Sequence, residues 1–249
     1  MKRIFKTTNI CGGGKILKIS IIANTILLFL LVVSFCNTPF GESLLVYFGL
    51  KSPWSLVKEE PRAVRAWINC LDKLNLHADI AFYGNSITRN SNFHEYFTDK
   101  IIVNLGYGSE DIDGLIIRMW LLRTAHPDKV FLMAGINGLK DYSDDEFLVS
   151  YAALVDSVST VVPYDHIYVQ SILPISVGKE KKCGSNDLII SRNNAIRTIC
   201  KSKGCTYIDV HHLFYANGHL ADGYAQDGLH LEQSHYREWA ELIKPYIYE

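Results

Sequence analysis

The chain has 249 residues, of which 48% are hydrophobic and 20% are charged, and its formal net charge is −1. This length is enough for one α/β domain that buries a full core without metals or disulfides. The balanced charge and the scattered basic residues after the amino terminus exclude the electrostatic footprint of a nucleic-acid-binding protein. We therefore expect a neutral or small partner.

The amino terminus combines a basic segment with a hydrophobic run. Every basic residue up to Lys18 precedes the first acidic residue, Glu42, and the hydrophobic run covers residues 19–36. The run is long enough to span a bilayer as a helix, and the positive flank predicts that the rest of the chain lies outside the cytoplasm. A cleaved signal peptide is the alternative, because residues 26–36 alone suit its apolar core.

Both alternatives predict export and the same four segments. These are a basic cytoplasmic segment (1–18), a transmembrane anchor or signal sequence (19–36), a juxtamembrane spacer (37–58) and a folded domain (59–249). An uncleaved helix would hold the domain at the membrane, whereas a cleaved one would leave it secreted or periplasmic.

From Asp79 onward, short apolar runs alternate with helical periodicity. The runs predict five strands, at residues 80–83, 101–105, 130–134, 167–172 and 207–210. Apolar spacing predicts helices around residues 61–71, 112–120, 147–158, 189–203 and 234–246, and Ser109 is a candidate cap for the second of these. Continuously apolar strands separated by helices are typical of a parallel sheet covered on both faces, so we predict an α/β fold.

Small polar residues follow several predicted strands, at the edge where open parallel sheets bind their ligands. In chain order they are Gly84, Asn85, Ser86, Gly106, Asn137, Asp227 and His230. Each alone has an ordinary structural explanation, such as a helix cap or a tight turn. Together they form a group at one edge of one sheet.

This group contains the parts that acyl transfer needs. A nucleophilic serine requires a base within hydrogen-bond reach, and the base requires a third group that fixes its tautomer. Asp227 and His230 are close enough in sequence to meet locally, so one ring nitrogen can face the carboxylate and the other Ser86. For the oxyanion hole, the candidate donors are the backbone N–H groups of Ser86 and Gly106 and the side-chain amide of Asn137.

With these blocks in this order, the sequence resembles the SGNH hydrolases, also called GDSL esterases and lipases. The blocks are "GNSI" with Ser86, "NLGYG" with Gly106, "GIN" with Asn137 and "DGLH" with His230. The resemblance covers the chain from about residue 79 to its carboxyl terminus. It implies a three-layer α/β/α sandwich with a flavodoxin-like, mainly parallel five-stranded sheet, a triad completed by Asp227, and no metal or organic cofactor.

Two positions depart from the pattern of the family. Asn85 precedes the serine and Gly138 follows Asn137, where the family usually has aspartate. Neither is a triad position. Asn85 can still accept a hydrogen bond and support the turn with Gly84, so the resemblance implies that activity is kept.

The resemblance implies hydrolysis of an acyl ester through an acyl-enzyme. The polar loop at residues 176–187, with its lysines, favours a small-molecule or glycan ester, such as an O-acetyl group on a carbohydrate. A lipase or lysophospholipase, and an O-acyltransferase using the same site, are alternatives. A catalytically inactive, membrane-tethered glycan-binding module is a third, and the oligomeric state is left open.

Cysteine spacing leaves a further choice open. Cys200 and Cys205 lie close together, between a predicted helix and a predicted strand, and can either pair in an oxidising compartment or remain buried thiols. No cysteine pair has the spacing of metal ligands.

Overall fold

The computed structural model describes residue 73 and residues 77–249. The predicted segments 1–18, 19–36 and 37–58, and the predicted helix around residues 61–71, lie outside the described residues. Within the described residues, no helix is both long and apolar enough to cross a membrane.

The centre of the fold is a five-stranded sheet in which every neighbouring pair is parallel. Its strands are β1 (Ile80–Gly84), β2 (Ile102–Asn104), β3 (Lys129–Met133), β4 (Ile167–Gln170) and β5 (Thr206–Ile208). They lie in the order β2-β1-β3-β4-β5. This order is that of the flavodoxin-like doubly wound fold, in which ligands bind at the carboxyl ends of the strands.

Helices connect the strands. Within residues 77–249 they are α1 (Ser86–Arg89), α2 (Phe93–Tyr96), α3 (Ile112–Ile117), α4 (Met119–Ala125), α5 (Asp144–Ser159), α6 (Glu180–Cys183), α7 (Asn186–Lys203), α8 (His211–Phe214) and α9 (Tyr236–Tyr248). Short 3-10 turns occur at Tyr164–His166 and Gln233–His235. The polar loop predicted at residues 176–187 therefore contains one short helix, α6, and the first two residues of α7.

Both faces of the sheet are covered, because alternate strand residues point to opposite sides. On one face, Phe82 stacks on Phe93 of α2 at 4.4 Å between ring centroids, and Phe93 contacts Trp239 of α9 at 5.3 Å. On the other face, the Tyr83 hydroxyl donates to the backbone carbonyl of Leu115 in α3. These contacts give three layers, as the resemblance implies.

The predicted helix at residues 112–120 is wrong in two details. It is divided at Arg118 (φ −90°, ψ 11°), which ends α3 and precedes α4. Its cap is Asp111, whose carboxylate accepts from the Gly114 N–H at 2.8 Å, whereas Ser109 has a left-handed backbone (φ 61°). The i, i+3, i+4 pattern continues across Arg118, so periodicity alone does not reveal the break.

A two-stranded antiparallel hairpin, β6 (Tyr215–Ala216) and β7 (His219–Leu220), follows α8. Its turn is Asn217-Gly218, with φ values of 53° and 88°. An Asn-Gly pair between short strands is a strong hairpin signal, and it identifies an element absent from the sequence prediction.

The thiols of Cys200 and Cys205 are free and buried. Cys205 donates its backbone N–H to the Cys200 carbonyl at 3.1 Å, in the turn between α7 and β5. This arrangement corresponds to the buried-thiol alternative of the sequence analysis.

Candidate active site

Ser86 lies two residues after Gly84, the last residue of β1, at the first position of α1. The Asn85 carboxamide oxygen accepts from the Ile87 N–H at 2.9 Å and so caps this short helix. Gly84 accepts at its carbonyl from the Tyr107 N–H at 3.0 Å, which ties the end of β1 to the loop after β2. The two predicted supporting residues thus fix the backbone on the amino-terminal side of Ser86, which is itself 9% exposed.

A continuous hydrogen-bonded chain joins Ser86, His230 and Asp227. Ser86 Oγ lies 2.8 Å from His230 Nε2, and His230 Nδ1 lies 2.6 Å from Asp227 Oδ2. An ionised carboxylate can only accept, so Nδ1 carries the ring proton and Nε2 accepts from the serine hydroxyl. The fold therefore brings together residues that are 144 positions apart in sequence.

The Asp227 carboxylate also shapes the loop that carries His230. Its Oδ1 accepts from the backbone N–H groups of Leu229 at 2.9 Å and His230 at 2.8 Å. Burial alone would raise the pKa of Asp227, but the hydrogen bonds from His230 and Leu229 outweigh it and lower that pKa to about 2. The carboxylate is therefore charged at neutral pH, where it can stabilise a protonated imidazole.

Asn137 follows β3 and lies near the loop after β2. Its Nδ2 donates one proton to the Glu110 backbone carbonyl at 2.8 Å. A carboxamide nitrogen carries two protons, so a second donor remains. The Ser86 backbone N–H has no hydrogen bond to any of the described residues. Two of the three predicted oxyanion donors thus retain a proton to offer.

The backbone N–H of Gly106, the third predicted oxyanion donor, is already hydrogen-bonded within the protein. It donates to Asn104 Oδ1 at 3.0 Å. The physical reason is local: the asparagine that ends β2 folds back over its own loop, as asparagines do in turns. Donation from Gly106 to an oxyanion would require this bond to break, so its catalytic assignment stays a prediction.

The structure gives Gly106 a packing role. A Cβ there would lie 2.2 Å from the Arg89 nitrogen and 2.7 Å from its Cα, both backbone atoms. We expect Gly106→Ala to lower the free energy of unfolding by about 3 kcal/mol, because backbone cannot move aside as a flexible side chain can. Urea denaturation followed by circular dichroism measures the change.

Gly204→Ala is the matched control for this prediction. Gly204 is left-handed (φ 80°), and a Cβ at this position would have no atom of the described residues within 4 Å. Only the backbone strain of about 1 kcal/mol therefore applies. Equal losses in the two variants would contradict the close approach of Gly106 to Arg89.

A polar loop borders the site. Ser176 donates its N–H to the Gly228 carbonyl at 3.0 Å, which joins the loop after β4 to the turn that carries Asp227 and His230. A Cβ on Gly228 would lie 3.0 Å from Lys179 Cε, so the Lys179 stem packs against the same turn. The edge of the site on this side is therefore formed by Ser176, Lys179 and the exposed Val177 between them.

Among the described residues, no group of three or more histidine, cysteine or acidic side chains has the arrangement of a metal site. The site presents a serine hydroxyl, an imidazole placed to accept its proton, and a carboxylate that holds the imidazole.

A Glu110–Arg118 ion pair, absent from the sequence prediction, lies beside Asn137. Its nitrogen–oxygen distance is 2.5 Å, and the two side chains are 7% (Arg118) and 13% (Glu110) exposed. Glu110 precedes the cap of α3 and lies eight residues before Arg118, whereas helical ion pairs form at separations of three or four residues, so spacing rules do not find this pair.

Known proteins share this fold. A protein from Streptococcus pneumoniae, provisionally described as a platelet activating factor, has a TM-score of 0.65 at 24% identity, covering 81% of this chain and 99% of its own. An acylhydrolase from Bacteroides fragilis, also provisionally described, has a TM-score of 0.61 at 20% identity, with coverage of 73% and 97%. A catalytic mutant of an acetylxylan esterase from Geobacillus stearothermophilus has a TM-score of 0.54 at 16% identity, with coverage of 68% and 94%.

No curated protein is significantly similar in sequence. A family model does match, over residues 82–237, and it describes the GDSL-like lipase/acylhydrolase family. The match begins in β1, ends in α9 and includes each of the sequence blocks with Ser86, Gly106, Asn137 and His230. The chain belongs to the GDSL-like lipase/acylhydrolase family.

Proposed function

We propose that this protein is a serine esterase that hydrolyses acyl esters through an acyl-enzyme. The observation that carries the proposal is the hydrogen-bonded chain from Ser86 Oγ through His230 to Asp227, with distances of 2.8 and 2.6 Å. Membership of an acylhydrolase family agrees with this chemistry.

In the first half-reaction, Ser86 Oγ attacks the ester carbonyl while His230 Nε2 takes the hydroxyl proton. Asp227 holds Nδ1–H and stabilises the imidazolium that forms. The negative charge that develops on the carbonyl oxygen needs donors, and the Ser86 N–H and the Asn137 amide supply them. The imidazolium then gives its proton to the leaving alcohol as the carbon–oxygen bond breaks.

In the second half-reaction, water attacks the acyl-enzyme and His230 takes its proton. The new tetrahedral intermediate collapses, the Ser86 oxygen leaves, and the imidazolium returns the proton to it. The released product is the carboxylic acid, and both the serine and the imidazole return to their starting states.

We propose an O-acetyl ester of a carbohydrate as the substrate. The edge of the site formed by Ser176 and Lys179 is polar, and it packs directly on the turn that carries Asp227. Such an edge offers hydrogen-bond donors to sugar hydroxyls, and the exposed Val177 between Ser176 and Lys179 adds one apolar side chain to it. Structural neighbours described as acetylxylan esterases share the fold and support this choice.

Chain-length preference tests the proposal. We expect p-nitrophenyl acetate to be hydrolysed with a kcat/KM on the order of 10-fold or more above that of the octanoate, because a polar site gives a longer chain no compensating contact. Release of p-nitrophenolate measures both, and acetate release from an acetylated xylo-oligosaccharide extends the test to a glycan.

The alternatives have distinct outcomes in the same assays. Preference for the octanoate would favour a lipase or lysophospholipase. Acetate release that falls when an unacetylated glycan is added, with acetylated glycan appearing instead, would favour an O-acyltransferase. A protein that binds the glycan but turns over no ester would be a binding module.

Export of this activity is a separate proposal. It depends on the basic segment and the hydrophobic run of residues 19–36, which lie outside the described residues. Anchored and secreted forms would both meet extracellular or periplasmic glycans, which agrees with the proposed substrate.

A further inference from the structure

The loop between β2 and α3, residues 105–111, is held by a group of side chains that the proposed chemistry does not use. Arg118 Nη1 pairs with Glu110 Oε2, and the Arg118 guanidinium lies over the Tyr107 ring, 4.5 Å from its centroid. We call Tyr107, Glu110 and Arg118 the Arg118 cluster.

The Arg118 cluster is bonded to both sides of the candidate site. The Glu110 backbone carbonyl accepts from Asn137 Nδ2 at 2.8 Å. The Tyr107 N–H donates to the carbonyl of Gly84, two residues before Ser86, at 3.0 Å. A displacement of this loop would therefore move the Asn137 amide relative to the nucleophile.

The loop contains a backbone conformation that needs external support. Ser109 has φ 61°, in the left-handed region, where a residue other than glycine costs roughly 1 to 2 kcal/mol. Such conformations persist when the surrounding structure fixes them. Arg118 contacts Tyr107 on one side of Ser109 and Glu110 on the other, so one guanidinium holds both ends of the strained turn.

The ion pair is expected to add little to the free energy of unfolding, because the desolvation of two buried charges offsets much of their attraction. Space is nevertheless kept for it. A Cβ on Gly114, in the first turn of α3, would lie 2.0 Å from Glu110 Oε1 and 2.9 Å from its Cδ, so this glycine leaves room for the carboxylate. These features indicate that the ion pair serves to hold Glu110 in a fixed position.

We propose that Arg118 and Glu110 are positioning residues for the Asn137 amide, an inference that rests on the proposed function. Arg118 fixes the Glu110 carboxylate, which fixes the Glu110 peptide and its carbonyl. That carbonyl accepts a hydrogen bond from one N–H of the Asn137 amide and leaves the second N–H to donate to the oxyanion. Neither Arg118 nor Glu110 touches the substrate.

A double-mutant cycle on the full-length chain tests this. Asn137→Ala should lower kcat on the order of 10² to 10³, as the loss of one oxyanion donor does. Arg118→Met should lower kcat by roughly 10- to 100-fold at nearly unchanged KM, as a small misplacement of a catalytic group does. In the Asn137→Ala background, Arg118→Met should cause no further loss of kcat. The same fold-loss in both backgrounds, or no loss in either, would overturn the proposal.

Two variants separate positioning from general stability. Arg118→Lys keeps a charge beside Glu110 and should restore part of kcat. Arg192→Met removes a second buried arginine of the described residues, which pairs with Asp144 at 2.7 Å and lies over the Phe147 ring. It should lower the melting temperature as Arg118→Met does, but leave kcat unchanged. An equal loss of kcat in Arg192→Met would show that Arg118 acts only through stability.

Hydrogen exchange of the Asn137 side-chain amide gives a readout that needs no turnover. Its nitrogen–proton signals are identified by their absence in Asn137→Ala, and we expect Arg118→Met to accelerate their exchange by roughly 10-fold. Unchanged exchange would overturn the proposal. A wild type that hydrolyses no ester would refute the proposed function alone, and the exchange measurement would still decide the placement of Asn137.

Discussion

Replacement of Ser86 by alanine should reduce kcat for p-nitrophenyl acetate on the order of 10⁴ to 10⁶ while leaving the fold intact. The substitution removes one oxygen atom, and the hydrogen bond that this atom makes with a side chain is the one to His230 Nε2. No acyl-enzyme can then form. A fluorophosphonate should label the peptide that contains Ser86, with loss of fluoride, in the wild type and not in the variant.

Ser91→Ala is the matched control for this prediction. Ser91 is 2% exposed and lies just beyond α1, where its Oγ donates to the Thr88 carbonyl at 2.7 Å. Its loss should lower the free energy of unfolding by about 1 kcal/mol and leave turnover unchanged. If Ser86→Ala and Ser91→Ala had similar turnover, the nucleophile would be another residue.

The strands were predictable from the sequence because each is a short, largely apolar run, and 80–83 and 130–134 are wholly apolar, as expected for a sheet buried on both faces. The five predicted strands agree with β1 to β5 within two residues at each end. The helix break at Arg118 was not predictable, because the residues on either side of it keep the same periodicity. The backbone change occurs at one residue, and tertiary contacts of Arg118 with Glu110 and Tyr107 accompany it.

The same distinction between sequence pattern and tertiary contact applies to the candidate site. The meeting of Ser86, Asp227 and His230 was predictable because their residue types suit one another and the topology brings strand ends together, and their catalytic roles stay predictions. The acceptors of the candidate oxyanion donors were not predictable. The Gly106 N–H donates to Asn104 Oδ1 and the Asn137 amide donates to the Glu110 carbonyl, and both contacts depend on the folded chain. Residue type identifies a donor, whereas only the fold identifies its partner.

Replacement of His230 by alanine should reduce kcat about as strongly as replacement of Ser86, on the order of 10⁴ to 10⁶. Without the imidazole, no other base of the described residues lies within hydrogen-bond reach of the Ser86 hydroxyl. The kinetics of Ser86→Ala, His230→Ala and the double variant on p-nitrophenyl acetate measure the effect. Because the two residues act as one unit, the double variant should be no slower than either single variant.

His212→Ala is the control that isolates the role of the serine contact. His212 is also three residues after an aspartate, Asp209, with 4.0 Å between its Nδ1 and Asp209 Oδ1. Within the described part of the chain, however, its ring makes no hydrogen bond to a serine. His212 therefore has the local spacing to an aspartate but no serine to activate, so the turnover of His212→Ala should stay at the wild-type value. A large loss in His212→Ala, or multiplicative losses in the Ser86→Ala/His230→Ala double variant, would contradict catalysis by a single Ser86–His230 unit.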